Sequence, residues 1–128
     1  MSGTLKGIGA LILALVVWIV VATAIHRLMW VLWPAYAVAT PILNFTLPMK
    51  IARLLLGAFC TLVAGATAHR LNGARWLPLV LGCVLLAIFL PEHYRLWDRF
   101  PVWYHLTFLL SLVPLAVLGA CFPGVRST

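Results

Sequence analysis

The sequence is poor in charge and almost without acid. Of its 128 residues 9% are charged, and against nine lysines and arginines stand only two acids, Glu92 and Asp98. A soluble domain needs roughly a quarter of charged residues to cover its surface. A chain that is 65% apolar, with a mean hydropathy of +1.12, would expose large apolar patches and aggregate in water. Lipid is the solvent that suits it, and the composition predicts an integral membrane protein.

Other absences narrow the function. The long apolar runs hold no Asp or Glu, which disfavours a proton-coupled transporter built on a membrane-embedded carboxylate. No G-x-x-x-x-G-K-[ST], G-x-S-x-G or H-E-x-x-H pattern occurs, so the sequence leans away from an enzyme. The net charge of +7 is scattered at the ends of apolar runs. That pattern suits anionic lipid head groups and lacks the dense block that tracks a nucleic acid. Cys60, Cys83 and Cys121 are odd in number and form no C-x-x-C pair. They read as thiols packed like small hydrophobes, and neither a metal nor a cofactor is expected.

What is present is a set of apolar runs. The first, Gly7 to Ile25, follows Lys6, and Ala22-Thr23-Ala24 imitates a signal cleavage site. It exceeds the roughly 7–15 apolar residues of a signal peptide and is long enough to cross the ~30 Å hydrocarbon layer. It is therefore expected to stay as the first span, closed by His26-Arg27. The second run covers Ile51 to Ala68 and leads into a turn at Asn72-Gly73. The third covers Trp76 to Leu90 and is expected to stop at Pro91. The fourth covers Val102 to Phe122, with a kink expected at Pro114 and a stop at Pro123-Gly124.

Between the first two runs, residues 28–48 are apolar all round and interrupted by Pro34, Pro41 and Pro48. Each proline removes a backbone donor, so this segment reads as irregular or re-entrant, with a fifth span as the alternative. The fold expected is one all-α domain, a polytopic bundle of four transmembrane helices plus this proline-broken segment. Short loops make sequential helices antiparallel neighbours. Lys and Arg divide four against five between the two faces, so their distribution sets no orientation. The short chain with an uncleaved first run suits a bacterial inner membrane.

Gly57, Thr61 and Gly65 recur every four residues in the second run. They put small side chains on one helix face, where another helix can approach closely. The partner there is a helix of the same chain or, as the alternative, of a second copy or a larger complex.

The stretch PEHYRLWDRFPVWYH, residues 91–105, holds both acids, two of the four histidines and five aromatics. As the connection between the third and fourth spans it reads first as an interfacial loop. Trp97, Trp103 and Tyr104 would form an aromatic belt, with Trp30, Trp33 and Tyr36 on the same side. Glu92 would pair with Arg95 three residues on, and Asp98, between two arginines, would order the loop. Arg53, Glu92, His93, Arg95, Asp98, Arg99 and His105 would then gather near one membrane face, together with His26, Arg27, Asn44 and Lys50. Arg53 and His105 each lie three residues inside a run, where ionisable groups line protein interiors or wet cavities. The alternative for Arg53 is to snorkel outward. These residues, with the three aromatics, are the candidate ligand site.

FPVWYHL, residues 100–106, resembles the aromatic-rich helix starts of tryptophan-rich sensory proteins. The likeness covers one short segment, those proteins have five spans, and no residue role is carried over from them. The expectation that follows from the residues themselves is a small protein that binds or moves a lipid or amphiphile at a polar, aromatic vestibule. An accessory subunit of a larger membrane complex is the first alternative. An interfacial enzyme or a haem protein using His26, His93 and His105 is the second.

Overall fold

The computed structural model describes residues 3–121, with side chains from Leu5 onward. Phe122, the Pro123-Gly124 stop and Arg126 lie outside the described residues. Among those described there are helices and no strands: α1 (Gly3–Leu32), α2 (Pro34–Ala39), α3 (Leu47–Leu71), α4 (Trp76–Arg95), a 3₁₀ turn (Trp97–Arg99) and α5 (Val102–Gly119). The four long helices are each long and apolar enough to cross a membrane. The protein is an integral membrane helical bundle.

α1 is longer than the apolar run that opens it. Nothing between Gly7 and Leu32 breaks a helix, and His26-Arg27 only adds polarity, so the helix continues until Pro34 forces a break. Its 30 residues reach ~45 Å at 1.5 Å per residue, well beyond the ~30 Å apolar layer. The irregular segment thus shrinks to residues 33–46, with the short helix α2 inside it. α2 closes in a Schellman turn, in which Asn44 N–H reaches Ala39 O at 3.2 Å and Leu43 N–H reaches Thr40 O at 3.2 Å. The C′ position of that motif needs a left-handed backbone, usually supplied by glycine. Here Leu43 adopts it, at φ 55°.

α4 runs through Pro91 to Arg95 rather than stopping at the proline. One lost backbone bond near a helix end is a small penalty where the final turn is otherwise intact. α5 likewise runs through Pro114.

The core lies between α3, α5 and α4. α3 packs along both α1 and α5, α4 along α5, while α1 and α4 touch sparsely. The α3–α5 seam is the tightest. A Cβ on Gly65 would collide with the backbone of Ala116, and one on Gly119 with the backbone of Leu62. Thr61 is fully buried and accepts the indole N–H of Trp18 at 3.1 Å, which joins α1 to α3. The Gly57–Thr61–Gly65 face is therefore filled by helices of the same chain.

α1 and α4 end at one membrane face, and α3 and α5 begin there. Residues 33–46 and 96–101 both lie at that face. Arg99 ties them together by donating to the Ile42 carbonyl at 2.7 Å. The wide gap left between α1 and α4 opens on the same side.

Candidate functional site

The gap is a cavity of ≈ 490 Å³, bounded by α1, α3, α4 and α5. That volume is within the range of small-molecule pockets, about 300–1,000 Å³. Its deep end is apolar, with Trp18, Leu56, Phe89 and Phe108; its outer end holds His26, Arg53, His93 and Tyr104. Eight residues of helix separate Trp18 from His26 on α1, so the polarity changes over ~12 Å of depth.

Arg53 is the centre of the polar end. It rises from the second turn of α3, and its side chain points inward instead of snorkelling to the head groups. Its Nε donates to the Tyr104 hydroxyl at 3.0 Å and Nη1 donates to the Tyr36 hydroxyl at 2.9 Å. The guanidinium carbon sits 4.7 Å from the Phe45 ring centre and 5.8 Å from that of Phe100. Tyr36, Phe45, Phe100 and Tyr104 are all buried and stack in sequence around it. Aromatic faces attract the cation, and phenols accept its protons, but no carboxylate neutralises it. The one ion pair among the described residues joins Glu92 to Arg95 on the exposed side of α4.

A second cluster adjoins the first. His93 Nδ1 and His105 Nδ1 are 2.8 Å apart, and His105 Nε2 lies 3.1 Å from the Trp97 carbonyl. A carbonyl only accepts, so His105 carries its proton on Nε2. With neutral rings its Nδ1 must then accept, and His93 must donate from Nδ1. His93 Nε2 is left as a bare acceptor. His26 Nε2 lies 2.8 Å from the Tyr36 hydroxyl, which extends the network to α1. Burial pushes the Tyr36 phenol above its ordinary pKa, against the opposing pull of Arg53.

Of the ten residues expected in a ligand site, Arg53, Glu92, His93, Tyr104 and His105 border the cavity. Tyr104 is not a belt residue; it is 4% exposed, drawn inward by Arg53. Trp97 holds His105 through its carbonyl and stacks on that ring at 4.6 Å. Trp103 stays at the exposed surface. Arg95 faces outward and pairs with Glu92 at the rim of the cavity, and Arg99 secures the loop. Asp98 is exposed and pairs with neither arginine beside it; the bond from Arg99 to Ile42 orders the connection instead.

His26 and His105 both border the cavity, but both nitrogens of His105 are engaged by His93 and Trp97. Ligating iron would require breaking one of those bonds. Trp18, Phe89 and Phe108 are site residues that the sequence did not single out, and Trp30 and Tyr36 stood out only as belt aromatics. Trp and Phe inside apolar runs look like ordinary core or belt residues, and no spacing distinguishes these. Comparison with protein-family models, curated proteins and solved structures returned no match.

Proposed function

We propose that this protein binds a small amphiphile with an anionic head group, the head against Arg53 and the apolar part in the deep end of the cavity. The observation that carries the reading is an arginine with no carboxylate partner, opening on a cavity that turns apolar with depth. Drawing an unpaired cation partly out of water is costly, and such residues at membrane depth mark binding sites by default. An anionic ligand would supply the missing charge, and aromatic walls suit its chain.

The reading is one of binding rather than catalysis. The amphiphile would reach the site through the loosely packed α1–α4 seam, which faces the bilayer from which such a molecule comes. Membrane lipids are thus the proposed partners, and a bacterial inner membrane the proposed location. A role as an accessory subunit would have to use a surface other than the Gly57–Thr61–Gly65 face, which α1 and α5 already cover.

Native mass spectrometry of the detergent-purified protein tests this directly, with an anionic dioleoyl lipid and dioleoyl phosphatidylcholine titrated in parallel. The expected result is a one-to-one adduct that favours the anionic lipid by about tenfold or more and is lost in Arg53→Met. Equal uptake of both lipids, or an Arg53→Met protein that binds like the parent, would refute it.

A further inference from the structure

Resting on that reading of the cavity, we propose that the head group is a phosphomonoester that keeps one proton, as in a lipid with a terminal phosphate. The proposal comes from the mismatch between what the site can donate and what it can accept. Arg53 uses Nε and Nη1 on the two tyrosines, and its Nη2 has no partner among the described residues. The His93–His105–Trp97 chain leaves His93 Nε2 as an acceptor without a donor. Among the described residues the one sealed side-chain polar atom lacking a partner is the indole nitrogen of Trp30. Arg53 Nη2 and His93 Nε2 are therefore not sealed, and both residues border the cavity. Tyr104 lies between them, bonded to Arg53 and stacked on His93 at 6.1 Å.

A head group that satisfies both must accept from the guanidinium and donate to the imidazole. A carboxylate is acceptor-only and would leave His93 Nε2 unpaired. A phosphodiester anion has the same defect. A phosphomonoester monoanion has charged oxygens for Arg53 and a P–OH for His93. Its second proton leaves near pH 6 in water, and an acceptor facing that hydroxyl favours the monoanion. The trigger for selectivity is thus the tautomer that the Trp97 carbonyl imposes through His105.

The test compares two lipids of matched tails on the intact protein. Dioleoyl phosphatidic acid carries the P–OH; dioleoyl phosphatidylmethanol is a monoanionic diester without it. Adduct titrations by native mass spectrometry should show phosphatidic acid binding about tenfold or more tightly than phosphatidylmethanol, the scale of one hydrogen bond to a charged group. In His93→Phe, which keeps the ring stacking, phosphatidic acid should fall to the level of phosphatidylmethanol. Because the two-lipid comparison uses the parent protein, the proposal does not depend on the variant's folding.

Equal binding of the two lipids would overturn this proposal and leave the anionic-amphiphile reading standing. Binding of both no better than phosphatidylcholine would overturn that reading and this one together. Inorganic phosphate displacing phosphatidic acid at equal concentration would overturn the lipid as its source, because it would show that the tail contributes nothing.

Discussion

Arg53 Nε donates a 3.0 Å hydrogen bond to the hydroxyl of Tyr104, so the junction of α3 and α5 at one membrane face is made through a cation. Below it the same two helices meet backbone to backbone at Gly65 and Gly119. The seam is thus closed by small residues in the bilayer and held apart by a charged, aromatic box above them. These two regions predict opposite responses to substitution.

In the upper region, Arg53→Met replaces an unneutralised cation with an apolar chain of similar length. Arg53 is half-buried, and exchanging even a fully buried charge for well-packed hydrophobic volume is often neutral or stabilising. The expected outcome is a melting temperature in detergent equal to or above that of the parent, with binding of anionic amphiphiles reduced by about tenfold or more. Thermal melting followed by size-exclusion chromatography checks the first half, and adduct titration the second. A large loss of stability would mean that Arg53 is a structural strut and not a ligand group.

In the lower region, Gly65→Ala drives a methyl group into the backbone of Ala116, which has no side-chain freedom with which to yield. Overpacking of this kind costs about 1–3 kcal/mol. Gly9→Ala is the control, because a Cβ there meets nothing within 4 Å and alanine is the better helix former. The expected order of melting temperatures is Gly9→Ala at or above the parent and Gly65→Ala clearly below.

The bundle was more legible in the sequence than the site, for a physical reason. A transmembrane helix satisfies its own backbone, so a long apolar run is enough to define one. Boundaries were less legible. His26-Arg27 looks like an end, but charge at an interface does not stop a helix whose next breaker is Pro34, and Pro91 was absorbed by α4. The site depended on tertiary direction. Arg53 and His105 stood out as ionisable groups inside apolar runs, whereas nothing local marks Tyr36 as the partner of Arg53. The two lie 17 residues apart and meet because the Schellman turn at Leu43 folds α2 back onto the start of α3. Arg95, Asp98 and Arg99 shared the polar stretch but not its inward side.

Tyr36 gives the network a pH signature. Its phenol is pushed up by burial, so the protonated form is favoured in the folded protein relative to the unfolded chain. The sign follows: the contribution to stability is fully present below the ordinary tyrosine pKa of about 10 and is lost as pH rises through the higher folded value. Stability should therefore be insensitive to this group through neutral and mildly alkaline pH. In an absorbance titration at alkaline pH, Tyr36→Phe should remove part of the latest-rising tyrosinate signal. An unchanged late phase in that variant would mean that Tyr36 is not sealed as described.

The cavity itself can be tested by filling it from α1, at its loosely packed seam with α4. Ala22 lies on α1 and borders the cavity between Trp18 and His26, beside the sparse α1–α4 contact. A phenyl ring introduced there has room to enter without displacing backbone, unlike a methyl at Gly65. Ala22→Phe should thus keep the parent's melting temperature within a few degrees, because added apolar burial offsets any local adjustment. It should still abolish adduct formation, since the ring occupies the space of the ligand's apolar part while Arg53, Tyr36 and Tyr104 stay in place. Adduct titration against phosphatidic acid is the check. If Ala22→Phe bound as the parent does, the head group would be held at the membrane face alone, with the tail outside the bundle. Arg53 would then be recognising an ion at a surface and not an amphiphile in a pocket.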